Sequence, residues 1–157
     1  MLKIHRKLSV SSSIVLTAVM LIGVLVLAVY LPGFLEYLFR LTGPDGALLN
    51  PEVPWRTIVY IAGYAELALM LTGLGMLFAL LTLVRKEKVF THAAVELIRY
   101  ISWCLILMGV ILIALTFCST LAMFVGVAIF FVGLTIRVVK NVIEAAVFLK
   151  EENDLMV

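Results

Sequence analysis

Glu66 is the single charged side chain between Thr57 and Val84, a run otherwise apolar or small. An acid held at mid-membrane costs about 2.5–3.5 kcal/mol on insertion scales, so such a residue tends to be kept for a reason. On a helix, Ala62, Gly63, Met70 and Gly73 share its face at spacings of four, three, four and seven. Small residues at such spacing mark a helix–helix contact, which turns Glu66 toward the protein interior. Desolvation there favours the protonated acid. The chemistry this permits is a proton- or cation-coupled site, as in small multidrug transporters that use one membrane glutamate. The plainer alternative, which we favour at this level, is an acid hydrogen-bonded to a neighbouring helix or lying nearer the interface. No second intramembrane acid, arginine or polar ladder accompanies it.

Two further groups of residues invite a partner. Ala122 and Gly126 form a small-xxx-small pair, and Gly133 continues their face toward Arg137 and Lys140. Tight packing within the chain is the expected use, and a homodimer interface the sharper one. Arg137 and Lys140 are expected to snorkel to the inner headgroups. The second group is polar: Phe90 and Thr91 in a basic loop, and Glu151, Glu152, Asn153, Asp154 and Leu155 at the C-terminal end. The basic loop has an ordinary use in setting topology and touching anionic lipid. Leu155, Met156 and Val157 can form a short strand or docking segment whose acidic neighbours complement a basic surface, or else fray into solvent.

No catalytic set emerges, and an enzyme is not expected. The serines lack a histidine at helical spacing, His5 and His92 are isolated, and no carboxylate pair lies within an apolar run. No glycine-rich phosphate loop and no metal-ligand spacing are present, so neither cofactor nor metal is expected. Cys104 and Cys118 would lie about 21 Å apart on one helix, far beyond disulfide reach. Both read as small apolar packing residues.

The elements that position these residues follow from hydropathy. Of the 157 residues, 64% are apolar and 14% charged, and the mean hydropathy is +1.21. A soluble domain carries about a quarter charged residues. Spanning a hydrocarbon core of about 30 Å takes about 20 apolar residues. Four spans then leave no room for a separate soluble domain. The basic start and the run from Ile14 to Leu31 could suggest a signal peptide, but that run exceeds an h-region of 7–15 residues and no Ala-x-Ala site follows. We therefore expect a retained first span that ends or bends at Pro32–Gly33. From Ile101 to Ile136 no residue is charged, over 36 positions. As one helix this stretch would reach about 54 Å, so it must fold as a hairpin, with its turn at Cys118-Ser119-Thr120.

The expectation is an all-α, four-helix transmembrane bundle forming one membrane domain over residues 1–157, with spans near 11–32, 57–84, 96–117 and 120–141. An outer loop covers 33–56, with a turn at Gly43-Pro44-Asp45-Gly46. Tyr37, Trp55 and Tyr60 suit an aromatic belt at that face. An inner loop covers 85–95, where Thr91 caps the third helix and Phe90 packs on Val95. The fourth helix ends near Lys150, within a cytoplasmic tail over 142–157. Lys3, Arg6, Lys7, Arg85, Lys86, Lys88, Arg99, Arg137, Lys140 and Lys150 fall on one side, against Arg40 and Arg56 on the other. That asymmetry places both termini in the cytoplasm. The net charge of +2 is not gathered into a stripe, so direct nucleic-acid binding is not expected.

Three features carry a family resemblance: Lys88-Val89-Phe90-Thr91 after the basic loop, Leu97-Ile98-Arg99-Tyr100-Ile101 beyond it, and the terminal Lys150-Glu151-Glu152-Asn153-Asp154-Leu155-Met156-Val157. Together they resemble the bacterial membrane family called domain of unknown function 2975, over essentially the whole chain. The chain departs from that pattern at Met156, where threonine is usual, and at His92-Ala93-Ala94, where polar residues are usual. The resemblance implies four spans, a bacterial cytoplasmic membrane and no established enzymatic activity. Similar members are often encoded beside a Cro-like helix-turn-helix regulator, which implies a regulatory or scaffolding partner for it in the membrane. A small ion- or proton-coupled transporter using Glu66 is the alternative, and a structural subunit of a membrane complex a third.

Overall fold

The computed structural model describes the backbone of residues 2–42, 55–86, 91–117 and 120–155, and side chains within 10–37, 56–86, 91–116 and 121–153. Four helices make up the fold: α1 (Leu2–Thr42), α2 (Trp55–Arg85), α3 (His92–Ala114) and α4 (Thr120–Leu155), with a 3-10 turn at Leu115–Phe117 closing α3. All four are long and apolar enough to cross a membrane. There is no strand among the described residues. The chain is therefore a multi-pass, all-α membrane protein. The expected turn at Gly43-Pro44-Asp45-Gly46, the Phe90 staple and the hairpin residues Cys118 and Ser119 lie outside the described residues.

α1 runs through Pro32 instead of ending there. Proline removes the N–H that would bond Ala28, yet a membrane helix tolerates this where neighbouring groups settle the freed backbone. Tyr60 of α2 donates its hydroxyl to the Pro32 carbonyl at 3.4 Å. Around this point α1 and α2 share a seam. Val24, Leu31, Leu35 and Leu67 are buried, and Ala28, Val59, Tyr60, Met70, Leu71 and Leu74 pack against them. The residues on α1 recur at intervals of four and three, the knobs-into-holes period of nearly parallel helix axes. Gly63 admits Leu31 and Leu35 to the α2 backbone, its nearest contact being Leu31 at 3.4 Å from an added Cβ.

The helices pack in chain order. α2 lies against both α1 and α3, α3 against both α2 and α4, and among the described residues α1 and α4 each have one principal neighbour. The tightest junction is α3–α4. A Cβ on Gly109 would stand 2.8 Å from the Phe130 nitrogen and 2.9 Å from the Gly126 oxygen. On Gly126 it would stand 2.9 Å from the Ile113 nitrogen, and on Gly133 3.0 Å from the Ile106 nitrogen. Backbone meets backbone at all three, so Gly126 and Gly133 are used within the chain. Ala122, one turn before Gly126, is half-buried.

α4 has 36 residues, about 54 Å of helix against about 30 Å of hydrocarbon. Its uncharged part, beginning at the hairpin tip, ends at Arg137. The remainder runs beside the start of α3, and stays helical to Leu155 instead of stopping near Lys150. Acidic side chains in a last turn oppose the helix dipole, which favours fraying. Contacts with α3, described below, offset this.

The hairpin's close approach makes a direct prediction. Gly109→Ala must force α3 and α4 apart, at about 1–3 kcal/mol for overpacking, and should lower the thermal unfolding midpoint in detergent. Gly75→Ala meets nothing within 4 Å and should leave the midpoint unchanged or raised.

Candidate functional site

Two places concentrate chemistry: the interior acid of α2 and the polar end of the α3–α4 hairpin. Glu66 lies three residues after Gly63, which meets α1, and seven before Gly73, whose added Cβ would lie 3.8 Å from Cys104 of α3. It therefore sits between the two contact stripes of α2. Its side chain is half-buried, and its Oε1 is fully buried with no hydrogen-bond partner.

The hydroxyls within the helices behave differently. Thr17 donates to the Ser13 carbonyl and Thr72 to the Ala68 carbonyl, each at 2.8 Å. Thr82, Ser102, Thr116 and Thr135 likewise return their protons to carbonyls of their own helix. Such back-bonding lets a hydroxyl enter hydrocarbon without an outside partner. Glutamate is too long and too polar for that device, which singles out Glu66 among these groups.

The hairpin's open end carries a ladder. Thr91, in extended conformation, caps α3 and accepts from the Ala94 nitrogen. One residue on, His92 Nε2 lies 2.9 Å from Glu151 Oε1. Seven residues along α3, Arg99 reaches Glu144 at 3.5 Å, and Glu144 lies seven residues before Glu151. Lys140 also holds Glu144, at 2.5 Å. One turn further in, the Arg137 guanidinium lies over the Trp103 ring, 4.6 Å from its centroid. The steps of seven on antiparallel helices keep these pairs on one seam. Between the first two rungs Val147 is buried, and Ala94, Val95 and Ile98 are buried on the α3 side. The ladder thus covers an apolar strip that zips the projecting part of α4 to α3.

Glu144 follows the charge-free stretch of α4, which ends at Arg137. The hydrogen bond from Lys140 does most to hold its carboxyl below the usual range. Partial desolvation opposes this, and the charges of Lys140, Arg99 and His92 add to the lowering. Exposed pairs of this kind are individually weak and screened by salt, so their larger contribution is to register.

Of the expected partner-binding residues, Thr91 and Glu151 stand at the open end of the hairpin. Thr91 is committed to its cap, and Glu151 to His92. Glu152 and Asn153 are exposed on α4. Asp154 and Leu155 lie on its last turn, their side chains outside those described, and Phe90 lies outside the described residues. Sequence reasoning missed His92, Arg99, Trp103, Arg137 and Glu144 as one array. The available signal was the matched spacing of 92 and 99 with 144 and 151. Among the described residues no group of three His, Cys, Asp or Glu side chains is placed to hold a metal.

A family model described as "Protein of unknown function (DUF2975)" matches residues 11–157. The match covers nearly the whole chain, and the chain belongs to that uncharacterised family. No curated protein and no solved structure matches it.

The ladder predicts a pH dependence. A carboxyl whose pKa is lower folded than unfolded stabilises the fold above its unfolded value, and that stabilisation is lost as pH falls through the folded one. Protection of the amides around residues 141–147, measured as exchange relative to its intrinsic rate at each pH, should therefore fall on acidification through and below the usual carboxylate range. In Glu144→Gln the exchange should already be faster at neutral pH, with a flatter acid response.

Proposed function

We propose that this protein is a membrane-embedded docking platform for a soluble cytoplasmic partner with a basic surface, of the helix-turn-helix regulator class suggested by the family resemblance. The reading takes both termini as cytoplasmic, which the distribution of lysine and arginine supports, and the membrane as bacterial, which the family resemblance implies. The observation that carries it is the projecting part of α4. It is helical and tied to α3 through Glu151–His92 and Glu144–Arg99, while its outward face leaves Val142, Phe148 and Leu149 more than 60% exposed. Ala145, also exposed, joins Val142 and Leu149 into a stripe at spacings of three and four, ending beside Glu152. A clustered apolar stripe standing in water calls for cover, and helix-in-groove docking uses such spacing. The flanking Glu152, with Asp154 following it in the sequence, matches a basic rim, as the surface of a DNA-binding domain offers.

Retention of the helix-turn-helix regulator encoded nearest the gene, on bilayers holding the full-length protein, tests this directly. Phe148→Glu with Leu149→Glu should weaken retention by at least about tenfold. Unchanged retention by that variant, or none by the wild type, contradicts the proposal.

Glu66 supports a second reading, ion- or proton-coupled transport, because its buried oxygen has no partner and a carboxyl so placed can exchange a proton or hold a cation. In proteoliposomes under a pH gradient, Glu66→Gln should abolish proton flux. Undiminished flux in that variant, or none in the wild type, removes the reading.

A further inference from the structure

The basic residues at the hairpin's polar end are not equivalent. Arg99 and Lys140 both bind Glu144, so much of their charge is answered within the protein. Arg137 forms no ion pair among the described residues. Its guanidinium is instead held over Trp103, a ring that is 45% exposed. Stacking fixes the plane of the guanidinium and leaves its N–H fork free to take two oxygens of one tetrahedral anion.

Both residues stand where the uncharged stretch of α4 ends, the depth of lipid phosphates. On the hairpin-tip side of them the surface is apolar and open. Leu107 and Val110 follow Trp103 at spacings of four and seven on α3, Leu134 precedes Arg137 by three on α4, and all three are 42–48% exposed. An acyl chain laid along that face would begin at the Arg137–Trp103 pair. A free phosphate ion would use the fork and leave the apolar face unused.

We infer that Arg137 stacked on Trp103, with the open face of Leu107, Val110 and Leu134 below it, is a binding site for one anionic phospholipid, its phosphate on the guanidinium and a chain along the hairpin. An anionic headgroup without an ammonium, as in phosphatidylglycerol, is preferred because nothing in it competes for the phosphate or repels the arginine. This site is independent of the docking proposal, since it faces lipid and uses none of Val142, Phe148 or Leu149.

The test uses the full-length protein with Trp55→Phe, which leaves Trp103 as the sole indole of the two tryptophans in the sequence. Reconstituted in phosphatidylcholine bilayers, it is titrated with phosphatidylglycerol or phosphatidylcholine bearing brominated chains, which quench tryptophan on contact. Half-quenching should occur at a roughly fivefold lower mole fraction of phosphatidylglycerol. Arg137→Gln should erase the difference. Arg137→Lys, which keeps the charge but loses the stacked fork, should retain less than half of it and serves if the glutamine variant fails to fold. Inorganic phosphate should not displace the brominated lipid. Equal quenching by the two lipids in the wild type overturns the site. So does a full preference in either variant, or displacement by phosphate, which would assign the pair to a free anion.

Discussion

The close approach of α3 and α4 governs much of what surrounds it. Without hydrophobic driving force between helices in lipid, association rests on van der Waals packing and interhelical hydrogen bonds, and both need short distances. Gly109, Gly126 and Gly133 let one backbone touch the other, and this fixes how far α4 can slide along α3. The ladder depends on that register. A shift of one turn would separate His92 from Glu151 and Arg99 from Glu144, and move Arg137 off Trp103. The apolar half of the hairpin therefore sets the geometry that the polar half displays.

The chain-ordered packing has a second consequence. α2, flanked by α1 and α3, carries its acid in mid-helix, and Glu66 falls between its two contact stripes. The helical hydroxyls, those of α2 included, are satisfied within their own turns, so among the described residues the interior holds one side-chain polar atom whose requirement is unmet. The outermost helices present apolar side chains such as Val29 and Tyr30 on α1 and Leu121, Phe124 and Phe131 on α4, the face expected toward lipid.

The number and class of helices were legible because hydropathy is a property of each segment alone. A charge-free run of 36 residues also forces a hairpin on length alone. Register was less accessible. Gly126 and Gly133 stood out as small residues, but Gly109, the partner of Gly126, did not, because nothing on one helix states which level of another it will meet. Pro32 was expected to end or bend the first helix, since its cost is local, while the packing of α2 along α1 on both sides of it comes from a different helix. The fourth helix was expected to end near Lys150, with the acidic end left between a docking segment and a frayed tail, because the dipole penalty at Glu151 is visible in sequence, and its pairing with His92, fifty-nine residues away, is not. Glu66 was legible as an anomaly, though not as a carboxyl with one orphaned oxygen.

On this account the projecting end of α4 is a rigid element joined to α3, and the docking face depends on it. Nitroxide labels at Ala93 and Glu152, both exposed, in a protein with Cys104→Ala and Cys118→Ala and reconstituted in lipid, measure this most directly. The account predicts strong dipolar broadening of the electron spin resonance spectrum and little label motion, as for two sites held on adjacent helices. Narrow, motionally averaged lines with no dipolar coupling, as from a frayed tail, would contradict it.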